Sequence, residues 1–311
     1  MARPLIFNMN NWNNKALELF GEEAQASAPL AEHTTYRVGG NAEMLIRPVA
    51  PEGLSSVVRF ASGYGVPMQV LGAGSNVLVS DEGLGGIVCL TGGVDEIEPG
   101  GDFIRAEAGA LLDAVVSAAV SGGLAGMEKL SGIPGSVGGA VRMNAGAFGQ
   151  ETFDLLESFT AIKPDGGVIT LQKKDIRYAY RKVEGLEELV VLSALWRVPR
   201  GDVALLAKTR AEILASRAAK QPLEFPSAGS VFKRPAGDYA SRLIDFCGLK
   251  GARVGGAKVS EKHAGFIVNS DGASAEDIAA LICLVRDEVF ERTGVRLELE
   301  QIPLGVFKNK I

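Results

Sequence analysis

Two glycine-rich segments are the first features of this sequence whose residue types could bind a ligand. Gly72-Ala-Gly-Ser-Asn76 lies between two apolar runs, and Gly132-Ile-Pro-Gly-Ser-Val-Gly-Gly139 follows later in the chain. Glycine lets a backbone approach a ligand closely, so that its N–H groups can bind phosphate. Alone, the first segment is also compatible with a tight turn and the second with a crowded domain junction. Together they predict a site for a phosphate-bearing cofactor.

The first segment does not match two common phosphate-binding motifs. A Rossmann fingerprint needs a glycine where this sequence has Val77, and a P-loop needs a lysine followed by serine or threonine. The segment therefore predicts phosphate binding by another backbone arrangement, in which the side chains of Ser75 and Asn76 are additional donors.

A third segment presents a serine hydroxyl among cations. Small residues in Pro226-Ser-Ala-Gly-Ser-Val-Phe-Lys233 place Ser230 at a turn, and Lys220, Lys233 and Arg234 are close in sequence. A serine nucleophile of the hydrolase type is disfavoured because the G-x-S-x-G pattern is absent. Ser230 as a proton donor stays open, and so does a plain surface turn with solvated cations.

Three further segments carry candidate side chains. Arg181 ends the aromatic stretch Tyr178-Ala-Tyr-Arg181, and His263 lies in a separate polar turn. The alternation in Leu297-Glu-Leu-Glu-Gln301 predicts a strand with Glu298 and Glu300 on one face. Taken singly, such residues are more often a surface arginine, a structural histidine and two solvated strand carboxylates.

Short apolar runs separated by glycine predict the strands that must position these side chains. Helices interrupt the runs without regular alternation, which predicts an α+β fold with mixed sheets. Pro164-Asp-Gly-Gly167, between two of the runs, predicts a hairpin. The predicted strands are Glu43–Arg47, Pro67–Leu71, Ile87–Leu90, Phe103–Glu107, Phe159–Lys163, Val168–Leu171, Leu189–Val198 and Val295–Leu299.

Helices are predicted where apolar residues recur every three or four positions. The clearest is Ser274–Arg292, because Ser274 is a favourable N-cap and Gly294 a favourable residue after the last turn. The others are Asn14–Gly21, Glu52–Tyr64, Leu111–Ser121, Asp202–Ala219 and Ser241–Cys247.

The composition limits the class of protein. The 311 residues have room for two or three domains, and the net charge of −5 disfavours nucleic acid as a partner. Three widely spaced cysteines and two histidines predict neither a disulfide framework nor a metal site. The N-terminus lacks the apolar stretch of a signal peptide, and no run reaches the ~18 apolar residues of a membrane span. We therefore expect a cytoplasmic protein without membrane insertion.

Taken in order, these segments resemble the UDP-N-acetylmuramate dehydrogenase family, also called UDP-N-acetylenolpyruvoylglucosamine reductase or MurB, and specifically its shorter subclass without a tyrosine-bearing insertion. The resemblance covers nearly all of residues 31–305. It is carried by Thr34-Thr-Tyr-Arg-Val-Gly-Gly40, Leu71–Gly83, Ser131–Gly146, Pro226–Lys233, Leu249-Lys-Gly251, Val254-Gly-Gly-Ala257 and Ser260–Asn269.

The resemblance implies a fold and a division into domains. The fold would be the vanillyl-alcohol-oxidase/PCMH-type FAD-binding fold of two subdomains, residues 1–92 and 93–205. A C-terminal α+β domain, residues 206–298, would bind the UDP-sugar. Residues 299–311 are candidates to pack back on the first subdomain.

The resemblance also implies an activity and its participants. The reaction would be the NADPH-dependent reduction of UDP-N-acetylglucosamine enolpyruvate to UDP-N-acetylmuramate in peptidoglycan synthesis, with FAD supplying the hydride for the vinyl carbon. Arg181 would hold the substrate carboxylate, Glu300 would stabilise the enol, and Ser230 would donate the proton that quenches the enolate. The implied partner is the small-molecule substrate, and the expected assembly is a monomer or a weak homo-oligomer.

Residue-by-residue matching extends this site to two sets. The substrate set is Tyr180, Lys220, Lys233, Arg234 and His263, where Arg234 replaces the asparagine usual in the family. Glu298-Leu-Glu-Gln301 departs from the family's Glu-Pro-Glu-Val but keeps the second carboxylate. The cofactor set is Gly72, Ala73, Gly74, Ser75, Asn76, Ser131, Ile133, Pro134, Gly135, Ser136, Gly138, Gly139, Ala140, Asn144 and Gly146.

Two other functions compete with this interpretation. One is another FAD-dependent oxidoreductase of the same fold that acts on a sugar or hydroxy acid, and Arg181, Ser230 and Glu300 together argue against it. The second is a non-catalytic nucleotide-sugar-binding protein that has lost its flavin, which the intact glycines of both segments disfavour.

Overall fold

The computed structural model describes residues 10–311, and within that range it forms helices and short strands throughout. The helices are α1 Asn10–Phe20, α2 Pro51–Tyr64, α3 Leu112–Ser121, α4 Val137–Met143, α5 Thr152–Leu155, α6 Val203–Lys220, α7 Ala240–Phe246 and α8 Ala275–Thr293. The strands are β1 Ala24–Pro29, β2 Asn41–Ile46, β3 Met68–Leu71, β4 Val77–Val79, β5 Leu84–Leu90, β6 Ile97–Pro99, β7 Phe103–Glu107, β8 Gly146–Ala147, β9 Gln150–Glu151, β10 Leu156–Ile162, β11 Val168–Gln172, β12 Tyr178–Ala179, β13 Lys182–Val183, β14 Val190–Arg197, β15 Arg253–Val254, β16 Ala257–Val259, β17 Ile267–Asn269 and β18 Ile302–Leu304.

Three sheets organise the chain, and their strand directions are mixed. The first has the order β1-β2-β5-β3, in which β1 is antiparallel to β2 while β5 is parallel to both of its neighbours. The second, β11-β10-β14-β7-β6, is antiparallel throughout. A small antiparallel sheet, β15-β16-β17, lies near the C-terminus. The α+β class predicted from the sequence is therefore confirmed.

Three large hydrophobic cores lie against these sheets. The first sheet packs against α2 through residues such as Met44, Leu54 and Ile87. The antiparallel second sheet covers a core that contains the fully buried Trp196 and the apolar faces of α3 and α4. The third core joins α7 and α8 to the small sheet, and it also includes Tyr36 from the N-terminal part of the chain. The C-terminal region therefore packs directly against the loop that connects β1 and β2 of the first sheet.

Local sequence explains the best-predicted elements. The hydroxyl of Ser274 accepts from the Asp277 N–H, the Asp277 carboxylate accepts from the Ser274 N–H, and Gly294 at φ +74° ends α8. The predicted hairpin forms between β10 and β11, where Gly166 has a φ of +81°. The apolar stripe of α8 is buried as expected, at Ile278, Leu281, Ile282, Val285 and Val289.

The predicted strand over Val295–Leu299 is wrong. In the described part of the chain this segment forms only an isolated bridge, from Leu299 to Phe232, and the last strand is β18. Alternation of apolar and polar residues does not make a strand here, because the segment has no partner strand in a sheet among residues 10–311. β18 pairs in parallel with β4, with Ile302 opposite Val77. The chain thereby returns to the strand that follows the Gly72–Asn76 segment.

Candidate active site

The two glycine-rich segments lie against each other. We call Gly72–Asn76 the first glycine loop and Ser131–Gly139 the second. A Cβ added at Gly72 would lie 1.9 Å from Ser136 Oγ. At Gly74 the φ is +61°, and a Cβ would lie 2.0 Å from the His33 carbonyl oxygen. Only glycine therefore fits at position 74. A side chain at position 72 would displace Ser136, which caps the N-terminus of α4.

Unpaired backbone donors line the junction of the loops. Within residues 10–311, no N–H group of the first glycine loop donates to a protein acceptor, and the same is true of Gly135 and Ser136 in the second. Successive free amides form a concave arrangement of partial positive charge that suits an anion. The junction therefore has the chemistry of a phosphate cradle built from backbone alone.

A cavity of about 790 Å³ opens beside the first glycine loop. Gly72 and Ala73 line one side, and Arg37, Arg47 and His33 line another. The Arg47 Nη2 lies 2.8 Å from the His33 Nε2. Burial, and then the charge of Arg47, lower the pKa of His33, so a neutral ring accepts this hydrogen bond. A cavity of this volume is large enough for a nucleotide. Two arginines and backbone N–H groups without a protein acceptor in the described residues lie beside it and suit the phosphates of such a ligand.

Arg181 lies at the tip of the β12–β13 hairpin, where its φ is +56°. Its Nε donates to Glu300 Oε1 at 2.5 Å, Nη1 to the Asn144 carbonyl at 3.3 Å and Nη2 to the Gly146 carbonyl at 3.1 Å. A guanidinium has five N–H groups, so these bonds fix its plane and leave two N–H groups for a ligand. Such a fork matches a carboxylate.

Glu300 and Tyr180 complete the surroundings of this guanidinium. The side chains of Arg181 and Glu300 are only 15% and 12% exposed. The Tyr180 hydroxyl lies 3.4 Å from Glu300 Oε2, and the guanidinium carbon lies 4.9 Å from the centre of the Tyr180 ring. Burial, and then the Glu300 charge, raise the pKa of Tyr180, so its hydroxyl remains a hydrogen-bond donor.

Hydrogen bonds from the buried side chain of Gln301 stabilise the turn that carries Ser230. Gly229 adopts a φ of +74° immediately before Ser230, which is half-buried. Gln301 is only 3% exposed, and its Nε2 donates to the Ala228 carbonyl at 3.0 Å. Its Oε1 accepts from the buried hydroxyl of Tyr36 at 3.1 Å. The serine therefore projects from a turn that two buried side chains keep in place.

The backbone of Glu300 joins the serine turn to the first glycine loop. Its N–H donates to the carbonyl of Val231, the neighbour of Ser230, at 2.8 Å. Its carbonyl accepts from Asn76 Nδ2 at 3.2 Å, and the Ile302 N–H donates to the Asn76 carbonyl at 2.9 Å. The structure thus brings Tyr180, Arg181, Glu300 and the turn of Ser230 to the edge of the backbone cradle, and we call Tyr180, Arg181, Ser230 and Glu300 the side-chain cluster.

The predicted placement of Glu298 and Glu300 on one face of a strand is wrong. The Glu298 side chain is 76% exposed and pairs with Lys233 at 3.5 Å, whereas Glu300 is enclosed beside Arg181. The two carboxylates diverge because the chain between them is not a regular strand. Only Glu300 reaches the cluster.

The predicted substrate residues lie around this cluster in two groups. The Arg234 N–H donates to the Tyr180 hydroxyl at 3.4 Å, and the Arg234 guanidinium stacks on Tyr239 at 4.6 Å. Lys220 is exposed at the end of α6. The segment of His263 reaches the same helix end, because Lys262 Nζ donates to the Ala218 carbonyl at 2.7 Å.

His263 is half-buried, whereas Lys220 and Lys262 are exposed. Its ring packs edge-on against Phe266 at 5.0 Å, and its Nδ1 accepts from the Gly265 N–H at 3.2 Å. Burial lowers the pKa of His263. The ring is thus neutral in the folded protein at neutral pH, and its Nε2 is the remaining polar atom.

Asn144, predicted to bind the cofactor, uses its side chain for the protein itself. It is fully buried, and its Nδ2 donates to Glu151 Oε2 at 2.6 Å and to the Ala179 carbonyl at 3.2 Å. Its Oδ1 accepts from the Phe153 N–H at 3.0 Å. The side chain thereby joins α4 to the hairpin that carries Arg181.

The other members of the cofactor set follow the second glycine loop and the turn after α4. Ser131 is fully buried, and its hydroxyl has no hydrogen-bond partner in the part of the chain that the structure describes. Pro134 and Gly139 are exposed and Ala140 is buried, while the members of intermediate exposure are Ile133, Gly138 and Gly146.

Gln301 and Tyr36 were missed from the sequence. They meet across 265 positions, and nothing local marks either of them as part of a site. The only available signal was the position of Gln301 directly after Glu300. Among the described residues, no helix is long and apolar enough to cross a membrane, and no group of three metal-ligating side chains is found.

Both the N-terminal part and the C-terminal part of the chain match known proteins. Residues 221–302 match the family model for the C-terminal domain of UDP-N-acetylenolpyruvoylglucosamine reductase, and residues 42–172 match an FAD binding domain. The UDP-N-acetylenolpyruvoylglucosamine reductase of Latilactobacillus sakei is 41% identical over 282 residues, which covers 90% of this chain and 93% of that protein. Its namesake from Carboxydothermus hydrogenoformans is 43% identical over 279 residues, covering 89% and 92%.

A solved structure agrees over the whole fold. The crystal structure of UDP-N-acetylenolpyruvylglucosamine reductase (MurB) from Thermus caldophilus has a TM-score of 0.79 at 36% identity, and the match covers 91% of this chain and 98% of that one. These matches confirm the predicted FAD-binding fold and an FAD-containing oxidoreductase. The chain belongs to the UDP-N-acetylenolpyruvoylglucosamine reductase family.

Proposed function

We propose that this protein reduces UDP-N-acetylglucosamine enolpyruvate to UDP-N-acetylmuramate with NADPH, as a cytoplasmic step of peptidoglycan synthesis. The observation that carries the proposal is the position of Glu300. Its backbone bonds to Val231, beside Ser230, and to Asn76 of the first glycine loop, while its carboxylate bonds to Arg181. Glu300 thereby connects Arg181, the turn that carries Ser230 and the first glycine loop.

The glycine loops fit FAD, which supplies the hydride when it is bound. The unpaired amides of Gly72–Asn76, together with those of Gly135 and Ser136, would hold the phosphates. Glycine at positions 72 and 74 lets the loop pack against Ser136 and the His33 carbonyl, where a Cβ would clash. The loops position and bind, and they contribute no group that transfers a proton.

Arg181 has the task of holding the substrate carboxylate. As hydride reaches the vinyl carbon of the substrate, negative charge develops on the adjoining carbon and spreads onto the carboxylate oxygens. The two free N–H groups of the Arg181 guanidinium would stabilise that charge because Glu300 and two carbonyls already fix its orientation. Preorganisation of this kind avoids rearrangement during the reaction.

Ser230 has the task of protonating that carbon, and Glu300 the task of stabilising the enol. The turn that carries Ser230 is fixed through Gln301, so its hydroxyl meets the substrate at a defined position. Enclosure of Glu300 beside Arg181 keeps the carboxylate close to the reacting group. The serine then regains its proton from solvent.

We also propose the division of labour among three units. Residues 1–92 and 93–205 would bind the cofactor, and residues 206–298 would bind the nucleotide sugar. Three hydrophobic cores, each built mainly from one unit, support this division, as does the pairing of β18 with β4, which returns the end of the chain to the first unit.

An anaerobic experiment in two steps tests the proposed function. The purified protein should be yellow, NADPH should bleach its flavin absorption, and UDP-N-acetylglucosamine enolpyruvate should restore it with formation of UDP-N-acetylmuramate. Restoration by oxygen alone, with no response to the enolpyruvyl substrate, would favour the other kind of FAD-dependent oxidoreductase. A protein that cannot bind FAD would favour a nucleotide-sugar-binding protein.

A further inference from the structure

A buried arginine beside the second glycine loop has no assigned role. Arg217 lies on α6 and is 7% exposed. Its Nε and Nη2 have no hydrogen-bond partner within residues 10–311. A Cβ built at Gly132 would lie 2.8 Å from the Arg217 Cδ and 3.3 Å from its Nε, and the guanidinium carbon lies 5.4 Å from the centre of the Phe148 ring. The guanidinium therefore lies between the second glycine loop and the turn that follows α4.

The carboxylate of Asp113, whose charge acts on Arg217, is already occupied. Asp113 Oδ1 accepts from the Gly132 N–H at 2.7 Å, and Oδ2 accepts from Arg210 Nη2 at 2.7 Å. Two arginines thus share one carboxylate, and Arg217 is the one without a hydrogen bond to it. An unpaired buried charge is costly, so proteins normally pair it or use it on a ligand. Burial also lowers the pKa of Arg217, which agrees with this lack of pairing.

The second glycine loop, which the Arg217 side chain approaches at Gly132, carries further donors. The unpaired hydroxyl of Ser131 is fully buried next to Gly132. The free amides of Gly135 and Ser136 belong to the same loop, and Lys220 lies three positions after Arg217 on the same face of α6. A site with unpaired N–H and O–H donors and two cations is complementary to an anion with several acceptor oxygens. Phosphate has that chemistry.

We propose that Arg217 is an anion-binding residue, and that its guanidinium pairs with a phosphate group of a nucleotide ligand bound at the second glycine loop. The phosphate belongs either to the dinucleotide cofactor or to the diphosphate of the nucleotide sugar. The inference rests on the proposed function only for the nature of these ligands. Binding measurements test it without turnover, so its failure and that of the proposed function are distinguishable.

The decisive variant is Arg217→Met, with Lys208→Met on the exposed part of α6 as the matched control. The dissociation constant of FAD is measured by fluorescence with the apoprotein, and that of UDP is measured by calorimetry with the holoprotein. Loss of a charge-assisted pair should weaken one of the two by roughly ten- to a hundred-fold. Weaker FAD binding with normal UDP binding identifies the cofactor phosphate, and the reverse result identifies the diphosphate of the nucleotide sugar.

A purely structural arginine gives a different result. An apolar side chain of similar volume is then tolerated or even stabilises the fold, because it removes an unpaired charge. Unchanged affinities for both FAD and UDP in Arg217→Met would overturn the proposal. If that variant does not fold, Arg217→Lys decides, since it keeps the charge but loses the fork. Affinity should fall several-fold for the same ligand, and wild-type affinity for both ligands would contradict the proposal.

Discussion

In the glycine loops the proposed ligand-binding groups are backbone amides, whereas in the side-chain cluster they are a guanidinium, a carboxylate and two hydroxyls. The loops work because side chains are missing, as the 2.0 Å approach of a Cβ at Gly74 to the His33 carbonyl shows. The cluster works because side chains are held by distant partners, as Arg181 is by Glu300. The comparison teaches that binding of the cofactor and chemistry on the substrate depend on different kinds of sequence information and should be separable by mutation.

The largest expected effect comes from filling the first glycine loop. Gly74→Ala would force a Cβ against backbone at a φ of +61°. We expect a loss of about 3 kcal/mol of stability and a protein that retains little FAD. Urea denaturation and the ratio of flavin to protein absorbance measure both. Gly101→Ala is the control, because no atom lies within 4 Å of its added Cβ. Equal flavin content in the two variants would contradict the account of the loop.

The next effect comes from the guanidinium of the cluster. Arg181→Lys keeps the charge but loses the fork that three acceptors orient. We expect kcat with the enolpyruvyl substrate to fall about 100-fold, while NADPH bleaches the flavin at the normal rate. Stopped-flow absorbance separates the two steps. The exposed Arg177→Lys is the control. A defect confined to the reduction of the flavin by NADPH would contradict the assignment of Arg181 to the step with the enolpyruvyl substrate.

A smaller effect is expected behind the serine turn. Gln301→Ala removes the hydrogen bonds to Ala228 and Tyr36 and leaves buried polar groups unpaired. We expect a loss of about 1–3 kcal/mol of stability and roughly tenfold slower turnover, with FAD binding preserved. Exposed Gln172→Ala should change neither quantity. Turnover as fast as in the wild type would show that Gln301 does not position Ser230.

The smallest effect concerns pH. Burial lowers the pKa of His263 below its usual value of 6.5, so the unfolded chain binds a proton more readily than the folded protein. The free energy of unfolding is therefore expected to hold steady above pH 6.5 and to decrease as the pH falls below that value. Thermal unfolding at several pH values compares the wild type with His263→Gln. A decrease just as steep in the variant would assign the effect to other groups.

The contrast between the two regions also explains which parts could be predicted. The glycine loops, α8 with its cap at Ser274, and the hairpin at Pro164–Gly167 depend on residues close in sequence. Their positions follow from turn chemistry and periodicity. The apposition of the loops does not, because the contact between Gly72 and Ser136 is set by packing.

The side-chain cluster could be proposed only from the family resemblance. Arg181 and Glu300 are 119 positions apart, and no local pattern brings them together. The pattern around Glu298 predicted a strand that does not form, because alternation cannot show whether a segment has a partner strand. Gln301 and Arg217 escaped notice for a related reason. A buried polar residue is distinguished by its surroundings, and the sequence does not display them.

The most direct test of the separation uses Ser230→Ala, with Ser227→Ala from the same turn as control. Under anaerobic conditions, NADPH should bleach the flavin of both variants at the wild-type rate. On addition of UDP-N-acetylglucosamine enolpyruvate, the flavin of Ser227→Ala should return normally. That of Ser230→Ala should return roughly 10²- to 10⁴-fold more slowly, because the proton donor is missing. Wild-type return of the flavin in Ser230→Ala would contradict the assignment of Ser230 and with it the proposed division between cradle and cluster.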